Sequence, residues 1–333
     1  MKAIVLTKGG GPEALEYKET ETPSAAPGQA VVRLKAAGLN HRDVWQRVGY
    51  AGAEPTILGS DGAGVVETVG RDEDKFWVGK EVVINPMLFW GDKEDAPGPG
   101  FQILGNPTPG TYAEQIVIPV ENLAPKPAHL SFVQAASLPL AGLTAWRALF
   151  TQGQLKPGQT VLLPGIGSGV SGMALLFAKR AGARVIVTSS DDEKLAKARS
   201  LGADGAVNYT QDGWEVKVRE LTEPEGVDMV LDHSGEKTIP AGLRIVRPGG
   251  RVVFLGVTTG VEGRFNIREA FFKQVHLIGT TMGSPREFEA MFRFVALHGI
   301  TPEIHHHFPL AQTADAHRLM EKGAQFGKIM LEI

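Results

Sequence analysis

Residues 160–172 read as a buried strand, TVLLP, that runs into Gly-Ile-Gly-Ser-Gly-Val-Ser-Gly and then directly into an apolar helical segment. No other feature constrains the fold as much. A strand–glycine turn–helix unit needs a second, parallel strand beside the first, reached by a right-handed crossover. That strand is present at the right distance as ARVIVTS (183–189), followed by MVLDHS (229–234), RVVFLG (251–256) and VHLIG (275–279). These near-continuous apolar runs are of the kind buried on both faces of a parallel sheet. Helical patterns, MALLFAKRAG and the glycine-closed EKLAKARSLGAD, lie between them. The alternation predicts an α/β, doubly wound sheet.

Gly167, Gly169 and Gly172 match G-x-G-x-x-G literally. Glycine serves such a turn by allowing a tight bend, a close approach of pyrophosphate and helix–strand packing, while N–H groups at the helix start hold the phosphates. The motif alone is weak, since a glycine-rich turn can be purely structural; its strand–turn–helix context points to a dinucleotide. The end of the second strand should then report on the adenosine ribose, where NAD-binding chains usually carry an acid. Here Thr188-Ser189-Ser190 leaves room for a 2′-phosphate, with Lys194 one turn on. Asp191 and Asp192 keep NADH open. The spacing also predicts a capping box between Ser190 and Glu193.

The first 120 or so residues have a different texture. AIVL, AVVRLKAAG, GAGVVETVG, EVVIN and AEQIVIP are short runs between turn residues, which predicts a mostly β, barrel-like domain. QAASLPLAGLTAWRALF (134–150) has helical spacing, and the tail returns to strand–helix–strand with EIHHHFPL, AQTADAHRLMEKG and KIMLEI. Pro86–Gly110 is the least regular stretch and reads as a surface lobe or lid. The chain contains no cysteine, which excludes disulfides, thiolate metal sites and a cysteine nucleophile. A formal charge of -3 offers no electrostatic reason to expect nucleic acid or an anionic membrane as partner. With no apolar run long enough for a signal peptide or a membrane helix, the expected location is the cytoplasm.

GGGPEAL (9–15), AAGLNHRDVWQRVGY (36–50), LGSDGAGVVETVG (58–70), ASLPLAGLTAWRAL (136–149), the glycine turn and FGKIMLEI (326–333) together resemble the medium-chain dehydrogenase/reductase superfamily, and within it the zinc-free quinone oxidoreductase-like branch. The resemblance runs over essentially the whole chain. It implies a GroES-like, mostly β catalytic domain (1–124 and 283–333), a Rossmann dinucleotide-binding domain (125–282) and an active site in the cleft between them. Zinc-dependent members carry metal ligands where this chain has Asn40, Ser60 and Leu140, and an amide, a hydroxyl and an aliphatic side chain are not zinc donors. No metal is expected. The lobe that holds structural zinc in such enzymes persists at Pro86–Gly110 with Asp92, Glu94 and prolines in place of cysteines, a departure from the compact quinone reductases.

By the same resemblance, Asn40, Trp45 and Tyr50 line the nicotinamide and substrate pocket. Lys194 and Tyr209 grip the 2′-phosphate of NADPH, and Thr144 approaches the nicotinamide amide. Gly167, Ser168, Gly169, Val170 and Ser189 accompany the cofactor, as do Gly256, Val257 and Thr258, and Lys328 closes the pocket. Alignment by length shifts the family's last two motif glycines onto Ser168 and Ser171.

Without a Lewis acid, hydride transfer is easier to acceptors that delocalise charge, such as quinones and α,β-unsaturated carbonyls. Asn40 and the Tyr50 hydroxyl would donate to the carbonyl oxygen where charge develops. Against this, Asn40 can be a buried amide holding the turn to Asp43, and Tyr50 a packed surface aromatic. Asp43 reads as structural, His41 as a satisfied core or rim histidine, and His305-His306-His307 as surface histidines. Trp90 either covers substrate or anchors its loop. Two other functions stand beside the first. One is an enoyl-thioester reductase, with Arg42, Arg47 and Lys93 for a CoA phosphate; the other is a non-catalytic NADPH-binding sensor or scaffold. An apolar last strand, Val275–Gly279, suggests a homodimer or homotetramer.

Overall fold

The computed structural model describes residues 1–52, 54–222 and 225–333. In chain order, the strands of the first segment are β1 (Lys2–Leu6), β2 (Leu15–Glu19), β3 (Gln29–Gly38), β4 (Thr56–Ile57), β5 (Asp61–Val69), β6 (Glu81–Ile84), β7 (Met87–Leu88), β8 (Gln102–Ile103), β9 (Gln115–Pro119) and β10 (Leu123–Pro125), with helix α1 (His41–Gly49) after β3. Helices α2 (Phe132–Ala136) and α3 (Pro139–Trp146) follow. The second segment alternates β11 (Thr160–Leu163), α4 (Gly169–Arg180), β12 (Arg184–Ser189), α5 (Asp192–Ser200), β13 (Gly205–Asn208), α6 (Trp214–Glu220), β14 (Val227–Asp232), α7 (Thr238–Ile245), β15 (Val246–Phe254), α8 (Ile267–Phe272) and β16 (His276–Gly279). The chain ends with α9 (Pro285–His298), β17 (Ile304–Pro309), α10 (Thr313–Glu321) and β18 (Lys328–Glu332).

Two compact units result. The first comprises Met1–Ala141 and Ser284–Ile333, the second Gly142–Gly283. The first unit extends past residue 124 because α2 packs on β3 and β5. Its main sheet runs β10-β6-β5-β3-β18-β17, with β9 on β3, and is antiparallel apart from the β17–β18 pair. The C-terminal strand is thus bound to β3, placing Lys328 beside the residues that follow Gly38. One apolar core lies among Val32, Leu34, Val66, Ile84 and Ile118, and a second among Leu6, Leu39, Tyr112, Met320 and Leu331. The helical stretch 134–150 is not continuous: Pro139 opens a new helix at its first position, where a missing N–H costs nothing.

The second unit is a six-stranded parallel sheet in the order β13-β12-β11-β14-β15-β16. β11 has β12 on one side and β14 on the other, so the strand order reverses between β11 and β14. In such sheets ligands bind in the crevice beyond the carboxyl ends of the strands at this reversal. Leu162, Ile186, Val230, Leu243 and Val252 fill one side of the core.

Candidate functional sites

In the second unit the glycine turn lies at the carboxyl end of β11. Gly165 (φ 67°) and Gly167 (φ 121°) occupy backbone regions that side chains disfavour, so these are the positions at which the turn needs glycine. Gly169 opens α4, and a side chain at Gly172 would meet nothing within 4 Å. The conformational demand therefore falls on Gly165 and on the first glycine of the literal G-x-G-x-x-G spacing, not on its later two. Ser168 caps α4, accepting from the Ser171 N–H at 3.1 Å, and Val170 lies in its first turn. The free N–H groups of this helix start make an anion site of the kind pyrophosphate occupies.

His233, at the carboxyl end of β14, faces the same turn. Its Nε2 lies 3.2 Å from the Ser168 hydroxyl and 3.3 Å from the Gly165 carbonyl oxygen. Burial lowers the imidazole from its usual pKa, against the opposing pull of Asp232. The segment Gly256–Thr259 closes on this strand end. Thr259 donates to the Ser234 carbonyl at 2.8 Å, and a side chain at Gly256 would fall 2.2 Å from the His233 carbonyl oxygen. Val257 and Thr258 are carried in the same loop. Thr144 is buried, its hydroxyl 3.9 Å from the Met282 sulfur.

The end of β12 gathers the residues expected at the ribose. Ser189 is buried and accepts from the Asp191 N–H at 3.1 Å, while the Tyr209 N–H donates to the Ser189 carbonyl at 3.1 Å. The Tyr209 ring is exposed and Lys194 half-buried. The expected Ser190–Glu193 box is not formed. Asp191 caps α5 instead, accepting from the Glu193 and Lys194 N–H groups at 2.8 and 3.2 Å, so the helix begins one residue later than the spacing suggested. Asp192 accepts from the Asn208 side chain at 2.9 Å. Both acids are therefore engaged in local structure.

In the first unit, Asn40 stands at the N-cap of α1, and Asp43 reaches back to accept its N–H at 2.8 Å. The Asn40 amide accepts from Lys328 Nζ at 2.7 Å and donates to Asp61 Oδ2 at 3.0 Å. Lys328 donates in addition to the Leu39 carbonyl (2.7 Å) and to Asp61 Oδ2 (2.9 Å). Asp61 Oδ1 accepts from the Leu140 N–H at 2.7 Å. Lys328 is 3% exposed and Asp61 fully buried, so this is an enclosed ion pair rather than a surface cation. Asp61 was not singled out in the sequence. The available signal was an acid leading into the small and apolar run Gly-Ala-Gly-Val-Val and a base leading into Ile-Met-Leu, whose burial would require pairing.

Beside this cluster the Arg42 guanidinium donates to the Ser60 hydroxyl at 2.7 Å and to the Leu104 carbonyl at 2.8 Å. Asp43 accepts from the Tyr112 hydroxyl at 2.7 Å, and burial raises its carboxyl above the usual range. Arg47 is buried, donating to the Gly10 carbonyl at 3.0 Å and to His317 Nδ1 at 3.2 Å, and pairing with Glu321. Two of the three bases considered for a CoA phosphate thus serve the fold, and Lys93 remains exposed. The Tyr50 hydroxyl donates to the Glu54 carbonyl, and Trp45 is 46% exposed with its ring 5.2 Å from that of the exposed His41. Trp90 is buried, donates to the Lys93 carbonyl at 2.8 Å and packs edge-on against Phe101, which makes it an anchor of the lobe.

His305 and His306 are exposed, and the exposed His307 lies 3.5 Å from Glu332. Among the described residues no group of three His, Cys, Asp or Glu side chains is placed to hold a metal ion, and no helix is long and apolar enough to cross a membrane. The donor set at Asn40, Ser60 and Leu140 does not fit zinc, whereas the glycine turn and its helix start fit a dinucleotide.

Comparison with known proteins gives a consistent picture. Residues 26–128 match the family described as alcohol dehydrogenase GroES-like domain, and residues 169–296 the family described as zinc-binding dehydrogenase. The chain is 35% identical to the zinc-type alcohol dehydrogenase-like protein YogA of Leptosphaeria maculans, covering 96% of this chain and 94% of the relative. It is 32% identical to a quinone oxidoreductase of Pseudomonas aeruginosa, covering 95% and 94%. A solved structure of an NAD-dependent alcohol dehydrogenase superposes with a TM-score of 0.94 at 42% identity, covering both chains fully.

Proposed function

Because the chain belongs to the medium-chain dehydrogenase/reductase superfamily and is an oxidoreductase of that type, we propose that it is a zinc-independent, cytoplasmic reductase that uses NADPH to reduce a quinone or an α,β-unsaturated carbonyl compound. The observation that carries this reading is Asn40: a carboxamide stands where zinc-dependent relatives place a metal ligand, and it is held in place by a buried ion pair. When bound, the reduced nicotinamide supplies the hydride. The N–H groups at the start of α4 hold the phosphates, with Ser168 fixing the turn. The free Nδ2 proton of Asn40 donates to the acceptor oxygen as charge develops there, which favours acceptors that spread that charge. With Asp191 committed to capping α5 and Asp192 to Asn208, the neighbourhood of Ser189, Lys194 and Tyr209 suits a 2′-phosphate better than a 2′-hydroxyl.

The same reading includes a homodimer. β16 is an edge strand, and Leu277 on it, with Ile267, Phe271 and Phe272 of α8, is exposed. An apolar edge of this kind is a liability unless covered, and a second copy covers it by symmetric pairing.

The test is oxidation of NADPH by the purified protein with 1,2-naphthoquinone, an enone, crotonyl-CoA and a simple aldehyde, with and without EDTA. Turnover of the quinone or enone, unchanged by EDTA, is expected. Loss of activity in EDTA with recovery on zinc would refute the metal-free reading, and tight NADPH binding without any turnover would favour a sensor or scaffold.

A further inference from the structure

We propose that Lys328 and Asp61 are positioning residues that decide which end of the Asn40 carboxamide faces the acceptor. The inference rests on the reading of Asn40 above and deepens it. An amide is nearly symmetric in shape, so packing alone cannot select between its oxygen and its NH2 group; only its hydrogen-bond partners can. Both partners here are one-way groups. An ammonium only donates, and it meets Asn40 Oδ1 at 2.7 Å; a carboxylate only accepts, and it meets Asn40 Nδ2 at 3.0 Å. Turning the amide over would set NH2 against ammonium and oxygen against carboxylate, exchanging two charge-assisted bonds for two repulsions.

The stoichiometry closes. Lys328 spends its three protons on the Leu39 carbonyl, Asn40 and Asp61. Asp61 spends its second oxygen on the Leu140 N–H. One proton in the cluster has no partner among the described residues, the second on Asn40 Nδ2. Donation from the ammonium to Oδ1 also draws electron density out of the amide and strengthens that remaining N–H as a donor. A buried ion pair is a poor stabiliser compared with an apolar pair of the same volume. An orienting role accounts for two opposite charges buried side by side, Asp61 at the start of β5 and Lys328 at the start of β18. It also means that Lys328 has no proton left for a cofactor phosphate.

The test uses the full-length protein and the double variant Lys328→Met with Asp61→Asn, which removes both charges and so leaves no unpaired buried ion. The kcat for reduction of 1,2-naphthoquinone should fall about 30- to 100-fold, toward the loss seen on deleting an oxyanion donor outright. The dissociation constant for NADPH should change by less than about threefold, well under one tenfold step in affinity. In protein labelled with 15N at asparagine, the side-chain amide pair of Asn40, identified by its disappearance in Asn40→Leu, should move in the double variant. An unmoved amide pair overturns the proposal. So does an intact kcat with weakened NADPH binding, which would make Lys328 a cofactor contact. If the wild-type protein reduces none of the acceptors, the functional reading fails while the amide spectrum still decides the positioning role.

Discussion

His233 Nε2 sits 3.2 Å from the hydroxyl of Ser168, the residue that caps the helix at the glycine turn. These residues follow strands β14 and β11, the two between which the strand order reverses. The imidazole also reaches the Gly165 carbonyl, so it braces the turn from across the crevice. His233→Ala is expected to weaken NADPH binding about three- to tenfold, the loss of one or two buried hydrogen bonds. Ser168→Ala should not add fully to it. Additive losses, measured by fluorescence titration of the four proteins of the cycle, would show that the two side chains act separately.

Asn40→Leu removes the proposed carbonyl donor while keeping the volume. Its kcat with the best acceptor should drop about 10²- to 10³-fold, with NADPH affinity nearly unchanged. Stopped-flow single turnovers at saturating cofactor would isolate the chemical step. A wild-type rate there would remove Asn40 from the mechanism.

Cofactor preference should depend on Lys194. Lys194→Ala is expected to raise the dissociation constant for NADPH about tenfold, the equivalent of one phosphate contact, and to leave that for NADH within experimental scatter. Equal losses for both dinucleotides would place Lys194 in the fold rather than at the 2′-phosphate.

His317 should make stability fall in acid. Burial, with Arg47 adding to it, lowers this imidazole from 6.5 to about 3. Above pH 6.5 both folded and unfolded chains hold it neutral. Below that, the unfolded chain takes up a proton that the folded chain refuses, so stability declines as pH falls towards about 3, at about 1.4 kcal/mol per pH unit. Arg47 can only donate to Nδ1, which leaves the proton on Nε2, a buried atom with no partner among the described residues. His317→Gln keeps an acceptor for Arg47 but cannot titrate. Urea unfolding at pH 7 and pH 5 should show the wild type losing about 2 kcal/mol more than the variant. Parallel losses would contradict the assignment.

Leu277→Lys should convert a dimer to a monomer by charging the exposed edge of β16. Light scattering on a sizing column reads this directly, and a wild-type protein already monomeric at micromolar concentration would refute the dimer.

The parallel sheet was legible because five of its six strands contain apolar runs beside helices, a pattern that survives in one dimension; the edge strand β13, Gly-Ala-Val-Asn, is too short and too mixed to stand out. Local turn chemistry was read less well. Ser190 has the spacing of a cap for α5, but the helix begins one residue later and Asp191 takes the cap. His233 was passed over as part of a strand ending, although the reversal of strand order makes that ending one wall of the crevice. Arg47 is a candidate for a CoA phosphate by sequence, but Glu321 and His317, far away along the chain, enclose it.

Residue type and near-neighbour spacing were enough to read most of the strands and helices, the glycine turn, and side chains at Asn40, Ser60 and Leu140 that offer zinc no donor. What Asn40 does with its amide depends on contacts that exist only in the folded chain. Its partners, Asp61 and Lys328, arrive from β5 and from the C-terminal strand paired to β3. Hydrogen bonds act over about 3 Å, so groups hundreds of residues apart in sequence can orient one another only once the sheet has brought their strands together.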